Sequence, residues 1–255
     1  MVTLKDVAKA AGTSPATVSR VLNGVGTVDE EMAKRVLAAS EQLNYQPNQA
    51  GRSLRTGMDS DYGPEFELRL QHNLETKRII AKRAAAEIQA TDIVILDSGS
   101  TVAQLVPYLP QGALMYTNSL ALLQPMARRG LSIHLAPGLY VPEMAAVFGT
   151  ETEEYFQKYK PSKYIFSSAR VDVKTGLYNV SPFTLGVKKV VLRNATESIL
   201  LVDHEKFCDA GLPGYAHLSS IDMLITDYVP AQFREAVKQT GVTLIELGMS
   251  EMGVG

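Results

Sequence analysis

The sequence predicts two structural classes in one chain. Residues 1–57 read as a small all-α helix-turn-helix domain, and residues 70–255 as an α/β domain with a largely parallel sheet; residues 58–69 are the linker. Three observations carry this. Apolar residues near the N-terminus recur at helical spacing, with a break around Gly12. Seven short apolar runs follow in the body, divided by segments of helical pattern; strands that are apolar throughout belong to parallel sheets covered on both faces. Between the two, MDSDYGPE at 58–65 is polar and interrupted by Gly63 and Pro64.

In the head, LKDVAKAA places Leu4, Val7, Ala8 and Ala11 at i, i+3, i+4 and i+7, one apolar face of a short helix that Gly12 ends. A second helix begins at TSPATVSRVLN. Ser14 or Thr13 can cap it, Pro15 suits its first turn, and Val18, Val21 and Leu22 form its stripe. A third runs from Asp29 through Leu43. Its first turn holds Asp29, Glu30 and Glu31, which suits the positive end of a helix, and Met32, Val36, Leu37 and Leu43 face inward.

In the body, a long helix is expected around Leu70 to Gln89, followed by the runs IVILD, ALMYT, SIHLA, KYIFS, SILLVD, MLITD and VTLIEL. Open α/β sheets bind ligands at the carboxyl ends of their strands. DSGST lies at such an end, after IVIL, and opens the segment TVAQLVPYL, so amides of Gly99, Ser100 and Thr101 can face a phosphate or carboxylate. TNS (Thr117, Asn118, Ser119) repeats the arrangement after the next run, and DHEKF supplies the cation Lys206 after SILLV. A serine-capped helix start accounts equally well for DSGST by itself.

Composition narrows the function classes. With 255 residues and 45% hydrophobic content the chain is of globular type. No apolar run approaches the roughly 20 residues needed to cross a bilayer, no signal-peptide pattern opens the chain, and a cytoplasmic location without membrane partners is expected. The lone cysteine, Cys208, excludes an internal disulfide, and four histidines fall at no metal-ligand spacing, so no metal or cofactor is expected. Residues 1–57 hold seven basic against five acidic residues, a balance of +2; with the whole chain at −2, the remainder carries −4. A mildly basic head on an acidic body suits local contact with nucleic acid.

The stretches LKDVAKAAGTSPATVSRVLNG and LNYQPNQAGRSLRTG resemble the DNA-binding head of LacI/GalR-type bacterial repressors. The resemblance implies that the second helix enters the major groove, with Thr3, Ser14, Pro15, Ala16, Thr17, Ser19, Arg20 and Asn23 at the DNA. Arg20 suits a bidentate contact to guanine. It also implies a hinge helix over 48–56 in the minor groove, with Asn48, Ala50 and Arg52 at the DNA and Leu54 as the intercalating wedge. Nine residues are too few for a stable isolated helix, so this element is expected to fold on DNA. Gly51 stands where the family usually has alanine.

The body is similar, through ETKRIIAKRAAAEI, DSGST, TNS, Pro137–Gly138, SSARVDVKTGLY and LLVDHEKF, to the effector domain of DeoR-type repressors. The resemblance implies a fold related to ribose-phosphate isomerases and CoA-transferases, and a phosphorylated sugar or related metabolite as effector. Ser98, Gly99, Ser100, Thr101, Asn118 and Lys206 would hold the phosphate, with Asp97, Gly138 and Asp172 near the sugar and Thr117 and Ser119 also in the effector site. The chain departs from the family pattern at Pro137, before Gly138, and near Phe183 and Thr184. The expected protein is a repressor of a carbohydrate operon, binding a pseudopalindromic operator as a homodimer or homotetramer. The alternative is an isomerase-like enzyme with a DNA-binding head, for which Asp97, Glu143 or Asp172 could be the base; no nucleophile–base–orienter set is evident, and no catalytic residue is assigned.

Overall fold

The computed structural model describes residues 4–15, 17, 18, 21, 29–43, 65–209, 211 and 214–248. The chain divides into two compact units, Met1–Asp59 and Ser60–Gly255.

In the first unit, α1 (Leu4–Ala10) ends at Gly12, and the chain resumes helix at Pro15. Ser14 caps that start: its Oγ accepts from the Thr17 amide at 3.1 Å and lies 2.9 Å from Thr17 Oγ1. Asp29 does the same for α2 (Glu30–Gln42), where its Oδ1 accepts from the Met32 amide at 3.1 Å. Val7, Ala8, Ala11, Val18, Val36 and Ala39 form the small core, with Val21 and Leu43 packed against it. Leu37, expected inside, is 54% exposed. The reason is helical geometry: Val36, Ala39 and Leu43 lie on one stripe, and Leu37 is one residue off it.

The second unit opens with helix four residues before the expected linker ends: α3 spans Phe66–Gln71 and α4 spans Leu74–Ala85. The long helix expected from Leu70 is therefore two. The chain turns at His72 and at Asn73, whose φ of 51° is left-handed. The Lys77 ammonium fills the corner, donating to the carbonyls of Arg69 and His72.

All seven predicted apolar runs become strands of one sheet: β1 (Ile93–Leu96), β2 (Leu114–Thr117), β3 (His134–Leu135), β6 (Lys163–Phe166), β9 (Glu197–Leu201), β11 (Met223–Thr226) and β12 (Thr243–Glu246). Their order is β12-β11-β9-β6-β1-β2-β3, and every pairing is parallel. One face carries Val94, Leu96, Ile165 and Ile199 against Ile80 and Ala84 of α4; the other carries Ile95, Tyr164, Phe166 and Leu200. That second face packs on Phe156 of α5 (Thr150–Gln157) and Val187 and Val191 of α6 (Phe183–Asn194). Each large apolar side chain so buried contributes about 1.5–3 kcal/mol.

Smaller pieces decorate the sheet: the hairpin β4 (Leu139–Val141) and β5 (Ala146–Phe148), and a three-stranded group of β7 (Arg170–Asp172), β8 (Gly176–Tyr178) and β10 (Phe207–Cys208). The segment after DSGST is a 3-10 helix, Val102–Tyr108, in which Pro107 has no amide to donate. Only short helical order follows that turn, so the case for an anion there rests on individual donors and charges rather than on a long helix dipole. Because β1 pairs with β2 on one side and β6 on the other, the strand order reverses between β1 and β6. This is the position at which open parallel sheets form their crevice.

Candidate functional site

Asp97 and Ser167 stand directly beyond the ends of β1 and β6, at that reversal. Asp97 and Ser98 are buried, as are Ser100 and Thr101. Gly99 is required by close approach, since a Cβ there would stand 2.9 Å from Ser167 Cβ. Asp97 is committed to an ion pair: Lys188 Nζ of α6 donates to Asp97 Oδ2 at 2.7 Å and to the Ser167 carbonyl at 2.8 Å, with both side chains almost fully buried. Burial lowers the Lys188 pKa, and the Asp97 carboxylate opposes that shift. The hydroxyls of Ser98, Ser100 and Thr101 have no protein hydrogen-bond partner among the described residues, although their residues are buried.

Cations gather beside this turn. Arg69 of α3 lies within electrostatic reach of Asp97, and burial lowers its pKa. Lys77 is 2% exposed, and burial, with Lys206 next in importance, pushes its pKa down to about 8. Lys206 lies on the one-turn helix His204–Lys206 after β9; burial lowers its pKa too, with Asp203 opposing and Arg170 and Arg69 reinforcing the shift. Against these stand Asp97, already neutralised by Lys188, Asp203, and Glu205, whose Oε2 meets His72 Nε2 at 2.7 Å. The balance favours an anion.

Other expected site residues have structural partners. Thr117 Oγ1 donates to the Leu96 carbonyl at 2.7 Å and accepts from the Ser119 amide at 3.0 Å, fixing the turn after β2. Asn118 Nδ2 donates to the Val147 carbonyl at 2.9 Å, and Ser119 forms a bridge to Ala146, so both tether hairpin β4–β5. Gly138 has φ 148°, and a Cβ there would meet Thr152 Oγ1 at 2.1 Å and the Phe148 carbonyl at 2.7 Å; packing accounts for this glycine. Asp172 is fully buried and accepts from the amides of Lys174 (3.0 Å) and Thr175 (3.1 Å) through Oδ1, and of Gly211 (2.8 Å) through Oδ2. It holds the β7–β8 turn rather than presenting a free carboxylate. His204 is fixed by buried Asp227, 2.5 Å from its Nδ1, and stacks on Tyr228.

In the head, Ser14 and Pro15 are exposed and Thr17 is partly so. Thr3, Ala16, Ser19, Arg20, Asn23, Asn48, Ala50, Arg52 and Leu54, and with them the hinge helix 48–56, lie outside the described residues. Sequence reasoning missed Arg69, Lys77, Arg170, Lys188 and Asp203. A signal existed for two of them: Lys77 falls on the apolar stripe Ile80–Ala81–Ala84, and Lys188 on Thr184–Val187–Val191. A lysine on a buried stripe needs a partner or a ligand.

A parallel-sheet body with a cationic crevice at its strand reversal, preceded by a helix-turn-helix head, defines a ligand-sensing DNA-binding protein. Residues 72–228 match the model of the DeoR C terminal sensor domain, and residues 3–48 that of bacterial regulatory proteins of the lacI family. The chain belongs to the DeoR-type sensor family, with a LacI-type head, and is a transcription regulator. Relatives include the HTH-type transcriptional regulator GlpR of Haloferax volcanii, 27% identical over 68% of this chain and 69% of that one. The HTH-type transcriptional repressor GlcR of Bacillus subtilis is 27% identical over 86% of this chain and 85% of that one. Among solved structures, ribose 5-phosphate isomerase A of Methanocaldococcus jannaschii aligns with a TM-score of 0.40 and 17% identity over 54% of this chain. The chain spans about half of that enzyme's length, 56%. No helix among the described residues is long and apolar enough to cross a membrane.

Proposed function

We propose that this regulator is a cytoplasmic repressor of a carbohydrate-use operon, released from or secured to its operator by a phosphorylated sugar or related metabolite. The observation that carries the reading is the gathering of the hydroxyls of Ser98, Ser100 and Thr101, without a hydrogen-bond partner among the described residues, near the Lys77–Lys206–Arg69 cations. Hydroxyl and amide donors next to cations suit a phosphate, which takes many hydrogen bonds and two negative charges. The repressor GlcR, similar over most of its length, supports the direction of control. One head offers few base contacts, so a homodimer or homotetramer on a pseudopalindromic operator is the fitting assembly.

Sensing without catalysis fits the carboxylates. Asp97 is engaged by Lys188 through Oδ2, and Asp172 by three amides, so both carboxylates already serve the fold. The test is fluorescence anisotropy of labelled operator DNA during titration with pentose and hexose phosphates, with product analysis of the same mixtures. A change of about 5–150-fold in operator affinity, corresponding to about 1–3 kcal/mol of coupling, without turnover is expected. Tight operator binding indifferent to every phosphorylated metabolite would refute the reading, and steady isomerisation would favour the enzyme.

A further inference from the structure

The main sheet ends on two rims that differ in chemistry. At one, β12 carries Glu246, whose carboxylate pairs with Arg234 at 2.6 Å, so charge stands where another strand would have to dock. Charged side chains at a rim guard a sheet against unwanted pairing. At the other rim, β3 pairs with β2 on one side and with no strand on its outer side among the described residues. No such guard stands there. Between Arg129 and Glu143 lie thirteen residues without a charged side chain, although 20% of the whole chain is charged, so the lack is particular to this edge.

The backbone of β3 is open as well. The Ala136 amide donates inward, to the Thr117 carbonyl at 2.8 Å. Peptide groups alternate in direction along a strand, so the Leu135 amide and carbonyl point away from β2, and they have no backbone partner among the described residues. Apolar side chains flank them. Leu135 is 38% exposed, and on β4 Leu139 is 65% and Tyr140 47% exposed. As consecutive strand residues Leu139 and Tyr140 point to opposite faces, so each face of β4 carries an exposed apolar group. Their partners across the hairpin, Phe148 and Val147, are buried, and Asn118 and Ser119 tie β5 to the end of β2. The hairpin is anchored through its inner strand, and its outer strand forms an apolar ridge.

We propose that the β3 edge and the β4 ridge form the interface with a second copy of this chain, the two β3 strands running antiparallel across a twofold axis. A copy fits for three reasons. Antiparallel pairing about a twofold lets the Leu135 amide and carbonyl exchange hydrogen bonds with the same edge of the copy. An uncharged edge meets itself without repulsion, whereas the β12 rim would bring like charges together. A twofold is also the symmetry that a pseudopalindromic operator asks of paired heads. Pro137, which has no amide, and Gly138, with φ 148°, end the strand, so the shared ladder is short and Leu135, Leu139 and Tyr140 supply most of the binding. The interface shares a support with the crevice. Thr117 Oγ1 bonds to the Leu96 carbonyl, at the foot of the Asp97–Thr101 turn, and to the Ser119 amide in the turn from which Asn118 reaches the hairpin. This inference rests on the reading of the regulator as a homo-oligomer and adds to it the surface that joins the copies.

The experiment is sedimentation velocity of the full chain without DNA, on the natural protein, on Leu139→Glu/Tyr140→Glu and on Leu139→Lys/Tyr140→Lys, with circular dichroism to establish folding. The natural protein is expected as a dimer or tetramer and each variant as a species of half that size, its association weakened about 100-fold or more by like charges set against one another. An equimolar mixture of the two variants is expected to recover the natural size. Dissociation without recovery on mixing would place the effect elsewhere than between copies and overturn the proposal. A natural oligomer that the variants leave whole overturns this interface while the homo-oligomer reading stands, and a natural protein that is monomeric throughout refutes both. Should the variants not fold, hydrogen exchange on the natural protein decides. The Ile133 and Leu135 amides must exchange about tenfold or more slowly in the oligomer than in protein diluted to monomers, and equal rates overturn the proposal.

Discussion

The Asp97–Lys188 pair offers a quantitative test of how the crevice is built. Both groups are almost completely buried, at 6% and 3% side-chain exposure, and lie 2.7 Å apart. Lys188→Met leaves the Asp97 carboxylate, among the described residues, with the Ser167 amide at 3.4 Å and the neighbouring Tyr164 and Arg69 side chains; Asp97→Leu leaves the ammonium with the Ser167 carbonyl and the Phe166 ring, 5.5 Å from its centroid. Removing one partner of a buried pair costs about 3–5 kcal/mol, because the other charge stays behind unpaired, whereas replacing both with apolar groups is often close to neutral. For a body of this size 1 kcal/mol shifts the melting temperature by about 2–4 °C, so each single variant is expected to melt about 6–20 °C lower. Urea unfolding of all four proteins at pH 7 forms a double-variant cycle. The double variant should lose far less than the sum of the singles. Strictly additive losses, or single losses below about 1 kcal/mol, would show that the pair is not the buried, mutually dependent unit described above and would reopen Asp97 as a free ligand-facing carboxylate.

Lys77, with its pKa near 8, sets a pH dependence of known sign. It is protonated below that value and loses its charge above it, so affinity for a phosphate ester should fall as pH rises through about 8, measured by calorimetry between pH 7 and 9. Without ligand the sign reverses for stability: below pH 8 folded and unfolded chains both hold the proton, and between about 8 and 10.5 the unfolded chain alone keeps it, so resistance to urea should rise across that window. Lys206→Ala should weaken binding of phosphorylated ligands far more than of their unphosphorylated parents in the same titration; equal effects would remove Lys206 from the anion site. Arg20→Ala should cost about 1–3 kcal/mol on the operator and relax base choice at one position, read by anisotropy on a set of singly substituted sites; an equal loss on random DNA would make Arg20 a phosphate contact.

The seven strands of the main sheet were legible because each falls in a run of four to six mostly apolar residues set between segments of helical pattern, even β3, of which only His134–Leu135 pairs. The short strands β4, β5, β7, β8 and β10 lie outside any such alternation with helices and were not. The break between α3 and α4 was hidden for a different reason. Its cause is the Lys77 ammonium reaching back to the Arg69 and His72 carbonyls, and Asn73 in a left-handed conformation, neither of which alters the hydrophobic pattern. In the crevice, DSGST and Lys206 stood out by chemistry and position. Asp97 and Asp172 stood out as well, but only the tertiary structure shows that Lys188 and three turn amides occupy them. Asp203 lay inside a motif already noticed, but that its Oδ2 meets no hydrogen-bond donor among the described residues is a property of the folded chain which no sequence displays.

The corner at Lys77 has a practical side. A fragment of the body begun at residue 70, where the strand-and-helix pattern first becomes obvious, would cut α3 in two and delete the Arg69 carbonyl on which that ammonium rests. Such a fragment would keep the entire sheet and leave the Lys77 ammonium with the His72 carbonyl but without the Arg69 one. Anyone isolating the sensor should start upstream of Phe66, because the wall of the crevice is partly made of chain that belongs, by outward appearance, to the tether.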